Sequence, residues 1–161
     1  MFQIKRYQSP LGLLRIVSDG EAIVALTMDG QCYEERHLPQ LAIETDTPLL
    51  SLTAMLLDAY FSGRRPDFSV LPLRPEGTQF QLRVWHELTQ IPYGSTLSYS
   101  ELARRLHSSP RAVGAAVGKN PISILVPCHR VLGADGSLVG YAGGISRKAA
   151  LLRLEKTSFC G

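Results

Sequence analysis

The sequence predicts an α+β fold in two parts: a small antiparallel-sheet N-terminal domain, then a mainly helical C-terminal domain with a helix-turn-helix. Three observations carry this. Residues 1–30 are short β-prone runs interrupted by turn residues. From residue 78 onward the apolar residues recur at helical spacing, and most of these runs open on a capping residue. Between the two lies "RRPDFSVLPLRPEG", residues 64–77, with three prolines and a glycine, which reads as a linker. The expected domains are 1–75 and 78–161.

The elements follow in order. Ser9-Pro10-Leu11-Gly12, Asp19-Gly20 and Asp29-Gly30 break the first thirty residues into an antiparallel meander. Residues 31–47 read as irregular connection. "TPLLSLTAMLLDAYFSG" then begins with Thr47 as N-cap and Pro48 at the first helical position and stops at Gly63. Its apolar face should cover the sheet. In the second half, "TQFQLRVWHELTQI" spaces Phe80, Val84, Leu88 and Ile91 for one helical face. "SYSELARRLH" starts on Ser98 with Glu101 three residues later, a capping box, and turns Tyr99, Leu102, Ala103 and Leu106 inward. Ser109 caps a further helix with Pro110 first, "SPRAVGAAVGKN". The last helix starts near Ser146 and runs through "RKAALLRLEK".

Composition narrows the function classes. With 45% apolar and 19% charged residues the chain has a core and is not wholly disordered. No apolar stretch nears the roughly 20 residues of a membrane span. "MFQIKRYQSP" lacks the apolar centre of a signal peptide, so a soluble, cytoplasmic protein is expected. The three cysteines, Cys32, Cys128 and Cys160, are too few and too scattered for a disulfide framework. Cys32 and His37 have no second pair to complete a zinc site, so no metal is expected. Charge is uneven. Residues 1–80 hold seven Lys/Arg and ten Asp/Glu, net −3, and residues 81–161 hold ten and four, net +6. A basic second half suits a polyanion such as DNA, or is ordinary solvated charge.

Two short helices joined by a tight turn suggest a DNA-binding helix-turn-helix; a plain helical hairpin is the alternative. The second of them is unusual. "RAVGAAVG" is one arginine, Arg111, followed by small residues, whereas a major-groove reader normally carries long polar side chains. Small residues such as Ala112 and Gly114 let a helix backbone approach its partner closely, with Arg111 the single long probe. Val113 and Val117 fit packing on another helix.

The chemistry centres on "ILVPCHRVLG", residues 124–133. Read as an extended segment, it points Cys128 and His129 to opposite faces, so a bent backbone or a bridging water is needed to couple them. An apolar setting raises a thiol's pKa unless a partner favours the thiolate. His129 is such a partner if a carboxylate orients it, and downstream the choice is Asp135 or Glu155. The plain alternatives are an inert buried cysteine, a core histidine and a surface glutamate.

"NPISILVPCHRV", with "SYSELA" before it and "GYAGG" after it, resembles the O6-alkylguanine-DNA alkyltransferases, the methylated-DNA–protein-cysteine methyltransferases. The resemblance is strong over residues 78–155, and 1–75 fits the family's variable N-terminal domain. It implies DNA repair in which an O6-alkylguanine is flipped from the duplex and its alkyl group passes irreversibly to the protein's own cysteine, one turnover per molecule. The apolar run would then be a buried strand that delivers Cys128 to a base pocket. Cys128 resembles the alkyl acceptor, His129 the base acting through a water, and Glu155 the carboxylate orienting it. Asn120 resembles the residue that braces the surrounding turns. Tyr99 resembles the tyrosine that meets the flipped base and its phosphate, and Arg111 the finger that fills the gap in the duplex. Ala112, Gly114 and Lys119 fall on the DNA side; Val131, Tyr141 and Ala142 resemble the pocket wall. The implied partner is double-stranded DNA, with the protein a monomer and no organic cofactor. Two rivals stay open on the residues alone: a DNA-binding regulator without chemistry, and a cysteine hydrolase using Cys128, His129 and Glu155.

Overall fold

The computed structural model describes residues 1–30, 39, 41–141 and 143–157; Cys32, His37, Ala142 and Cys160 lie outside them. The chain forms two compact units, Met1–Glu76 with Pro121–Leu125, and Gly77–Asn120 with Val126–Gly161.

In the first unit, β1 (Phe2–Ser9), β2 (Gly12–Ser18), β3 (Ile23–Met28) and β4 (Ala42–Glu44) make one sheet in the order β3-β2-β1-β4. Both expected hairpins are present. Gly12 and Gly20 take positive φ at the turns, and the Ser9 hydroxyl and Asp19 carboxylate accept the turn N–H groups. β4 corrects the reading of residues 31–47 as irregular throughout. Three residues are too few for alternation to appear in the sequence; parallel pairing with Phe2–Ile4 makes them a strand. α1 (Pro48–Phe61) starts as its sequence requires, with the Thr47 hydroxyl accepting from Leu50 N–H. It packs on β1 and β2. Leu50, Thr53, Leu57 and Tyr60 form its buried face, each large apolar side chain contributing roughly 1.5–3 kcal/mol. The free edge of β3 is closed twice, by Leu73 beside Ile23 and by Ile122 beside Leu26. The stretch that precedes Cys128 is thus fastened to this sheet, through Leu26 N–H to Pro121 O and Ser123 N–H to Leu26 O.

In the second unit, α2 (Gln79–Thr89) opens on a complete capping box between Thr78 and Gln81. Its Trp85 donates from Nε1 to Ala116 O at 2.8 Å. Gly77 must be glycine, because a Cβ there would sit 2.5 Å from the Trp85 ring. β5 (Leu97–Ser98) pairs in parallel with β6 (Val131–Leu132). α3 (Tyr99–Arg105) and α4 (Pro110–Gly118) are capped by Ser98 and Ser109 as expected. They are joined by residues 106–109, where His107 takes φ 52, so the expected helix-turn-helix pair is present. α5 (Ile145–Leu154) ends the described fold. Among the described residues no helix is long and apolar enough to cross a membrane.

Candidate active site

Residues 121–130 are all buried, yet they form turns rather than the buried strand the apolar run suggests. Pro121 and Pro127 have no N–H to give to a ladder. Ile124, β-branched, sits at φ 70, a left-handed conformation that costs of order 1–3 kcal/mol. Leu125 N–H to Ser123 O and Cys128 N–H to Val126 O hold the path tight, both at 2.8 Å. Asn120 donates from Nδ2 to Val126 O at 2.9 Å, six residues on, closing a loop around the stretch between them. Cys128, His129 and Arg130 then form one turn of 3₁₀ helix. The backbone is therefore bent at the cysteine, not extended, and adjacent side chains are no longer sent to opposite faces.

His129 is fully buried and its Nε2 lies 2.6 Å from Glu155 Oε2. Glu155, the residue just past α5, also takes Arg130, with Nε at 2.8 Å on Oε1 and Nη2 at 3.1 Å on Oε2. Arg130 donates from Nη1 to Ile91 O at 2.7 Å and lies over the Tyr93 ring. The carboxylate thus orients the imidazole and neutralises the arginine together. Burial alone would raise its pKa; the His129 and Arg130 hydrogen bonds and charges outweigh that and hold it at about 2. Burial pushes the His129 pKa down, against the pull of Glu155, and the Arg130 and Lys148 charges push the same way as burial. Its Nδ1 has no hydrogen-bond partner among the described residues, the Cys128 thiol included, and is open to receive a proton.

Cys128 is the one described cysteine, free and 5% exposed. Burial raises its pKa, opposed by the Asn120 hydrogen bond and the Lys148 charge. Tyr99, at the start of α3, donates its hydroxyl to Val139 O at 3.2 Å. Burial and the neighbouring Cys128 push its phenol up to about 12. Val131 is buried on β6 and Tyr141 is half-buried. On α4, Arg111 and Lys119 are exposed at opposite ends of the helix, and neither belongs to the buried cluster. Ala112 is half-buried, and a Cβ at Gly114 would come no nearer than 3.8 Å to the Tyr99 ring. The structure therefore brings together Asn120, Cys128, His129 and Glu155, sets Tyr99 beside them, and leaves Arg111 and Lys119 on the surface.

Two site residues escape the residue-by-residue reading. Arg130 sits inside the quoted motif, and its pairing with Glu155 follows from the scarcity of carboxylates downstream. Lys148 is fully buried, with Nζ 2.6 Å from Val131 O and 3.0 Å from Val139 O. Its one available signal was helical spacing, which puts it on the same α5 face as Leu151 and Leu152.

Comparison with known proteins gives this centre its context. Residues 79–157 match the family described as 6-O-methylguanine DNA methyltransferase, DNA binding domain, and residues 4–75 match its ribonuclease-like domain. The methylated-DNA–protein-cysteine methyltransferase of Haemophilus influenzae is 43% identical over 155 residues, 95% of this chain and 86% of that protein. The protein of the same name from Mycobacterium tuberculosis is 47% identical over 161 residues, 98% of this chain and 94% of its own. The crystal structure of Mycobacterium tuberculosis OGT in complex with DNA superposes with a TM-score of 0.86 at 42% identity, covering 96% of this chain and 92% of that one. With both halves matched and nearly the whole length aligned, the chain belongs to the 6-O-methylguanine-DNA methyltransferase family.

Proposed function

We propose that Cys128 is the alkyl acceptor of this DNA-repair methyltransferase and that it takes the group from O6 of a guanine flipped out of duplex DNA. The observation that carries this is the buried turn in which Asn120 bonds the cysteine while Glu155 holds His129 with Nδ1 open. A base within a duplex cannot present O6 to a buried sulfur, so it has to leave the stack. In the transfer the thiol proton moves to His129, through a water. The thiolate lone pair forms the S–C bond, the C–O6 bond breaks, and its electron pair stays with guanine, which takes up a proton in turn. The product thioether has no good leaving group, so each molecule acts once. Tyr99 meets the base, and Val131 and Tyr141 line its place.

DNA is held by α4 in this reading. Arg111 fills the vacated stack, Ala112 and Gly114 permit close approach, and Lys119 contacts phosphate. The basic second half supports the assignment. Residues 78–161 are the DNA-binding and alkyl-transfer domain and 1–75 the accompanying one. The protein works in the cytoplasm as a monomer. The test is intact mass spectrometry after incubation with excess duplex carrying O6-methylguanine. One methyl on Cys128, with activity then ending, is expected. Release of repaired DNA beyond one equivalent would overturn the single-use mechanism.

A further inference from the structure

Among the described residues, three non-glycine residues sit at positive φ: His107, Ile124 and Lys156. His107 and Lys156 are exposed, and each stands one residue past the C-cap of its helix, α3 and α5, where a left-handed residue is ordinary. Ile124 is different. It is β-branched, 1% exposed, and lies in the buried stretch that leads to Cys128. Glycine would take this conformation freely, so the isoleucine side chain is present in spite of its backbone. Such a conformation persists where the surroundings over-determine it, and conformations of this kind collect at functional sites.

The hydrogen bonds give the conformation a purpose. Leu125 N–H donates to Ser123 O, two residues back, at 2.8 Å. With Ile124 at φ 70 between them, this is a γ-turn of the rare, strained hand. Cys128 N–H donates to Val126 O at 2.8 Å in the same pattern. Pro127, at φ −80 and ψ 66, makes that one an inverse γ-turn, the common hand. Two γ-turns of opposite hand therefore follow one another directly, and the second ends on the cysteine. Little else in the stretch is free. The Pro127 ring fixes its φ. Val126 O is held from two sides, by Cys128 N–H and by Asn120 Nδ2. Upstream, Ser123 N–H is held on Leu26 O at 3.1 Å. The reversal at Ile124 is where the path toward Cys128 is set, and a buried side chain stiff at χ1 sets it more narrowly than glycine would. We propose that Ile124 is a positioning residue for the transfer: its side chain locks the strained γ-turn that, with the turn at Pro127, places the Cys128 sulfur. This rests on Cys128 being the acceptor.

Positioning separates from mere filling of the core by comparing stability with rate in the full chain. Ile124→Ala and Ile124→Gly both remove the side chain, but only glycine accepts the positive φ without strain. Ile124→Gly should therefore unfold at a higher urea concentration than Ile124→Ala, the reverse of the usual order. Transfer from free O6-benzylguanine, followed by intact mass over a range of concentrations, needs no DNA binding. The maximal rate constant of Ile124→Gly should fall about tenfold, because the sulfur is no longer held in place, while the half-saturating concentration stays as in wild type. A wild-type maximal rate in Ile124→Gly would reduce the isoleucine to core filling and overturn the proposal. So would a loss confined to the half-saturating concentration, which would place the residue in substrate binding. A second pair keeps a buried apolar side chain and so keeps the fold. Ile124→Val retains the branch at Cβ and loses a methyl; Ile124→Leu retains the volume and loses the branch. Ile124→Val should keep most of the maximal rate and Ile124→Leu should be the slower of the two. The opposite order would also overturn the proposal. Benzyl found on another residue of the wild type, read directly by peptide mass, overturns the acceptor assignment; with wild type modified at Cys128, the variants test Ile124 alone.

Discussion

The two units treat polar groups in opposite ways. Among the described residues, the buried polar side chains of the first unit are the hydroxyls Ser9, Ser18, Thr27, Thr53 and Ser123. Its ion pairs, Lys5–Asp46, Arg6–Glu44, Arg15–Asp29 and Arg74 with Asp19 and Glu21, have at least one well-exposed partner each. The second unit buries Asn120, His129, Arg130, Lys148 and Glu155. A domain of this size does not need buried charge to fold, since apolar replacements are often as stable. Among the described residues the first unit buries no Asp, Glu, Lys, Arg or His side chain, while the second buries His129, Arg130, Lys148 and Glu155. Surface pairs and buried pairs should therefore respond very differently to the same kind of substitution.

The sharpest break is Cys128→Ser, in which a neutral hydroxyl replaces the thiolate. Transfer should fall below detection by intact mass while duplex binding in gel shift is retained. Measurable transfer in that variant would move the acceptor elsewhere. Next is Glu155→Gln, which preserves shape but leaves Arg130 buried without its counter-charge and His129 without its orienting anion. A loss of about 3–5 kcal/mol in denaturant unfolding is expected, together with slower transfer. The matched substitution in the first unit, Asp19→Asn, removes the exposed Arg74 partner and should leave the unfolding curve nearly unchanged. Equal losses at Glu155 and Asp19 would refute the contrast between the units.

Acid sharpens the same comparison. The Glu155 carboxyl lies at about 2 in the folded protein and near 4.3 when unfolded. Its contribution is complete above that unfolded value and is lost as pH falls toward 2. His129 is held below its ordinary value of 6.5, so unfolding takes up a proton and stability again drops as pH falls through 6.5. Both effects belong to the second unit. Trp85, the single tryptophan, reports on that unit by fluorescence. Hydrogen exchange should show protection lost over residues 79–118 at a higher pH than over residues 12–28. The reverse order would mean that the buried cluster does not govern acid stability.

The smallest effects are at the surface of α4. Arg111→Ala should slow repair of duplex about tenfold and leave reaction with free O6-benzylguanine unchanged, because only a duplex has a stack to fill. Equal slowing on both substrates would make Arg111 a support of the site. Lys119→Ala should reduce the salt dependence of DNA binding by about one unit of slope.

Much of this was legible in sequence for local reasons. The caps at Thr47, Thr78, Ser98 and Ser109, the turn glycines, and the spacing of Val84, Leu88 and Ile91 act within a few residues, so their consequences can be read in place. Cys128, His129 and Glu155 were picked out by residue type and by resemblance, and the structure sets His129 on Glu155. Other features required the folded chain. The strand at Ala42–Glu44 exists only through its pairing with β1. The apolar run before Cys128 has strand composition, but two prolines and the left-handed Ile124 bend it, and the cost of that bend is borne by bonds from Asn120 and from β3. Arg130 and Lys148 look like two more basic residues in a basic half. Their meaning depends on dielectric surroundings and on partners 25 and 17 residues away, Glu155 for one and Val131 O for the other. Sequence determines which elements form, because those forces are short-ranged. Only the tertiary structure decides which charges are removed from water together, and that decides the chemistry.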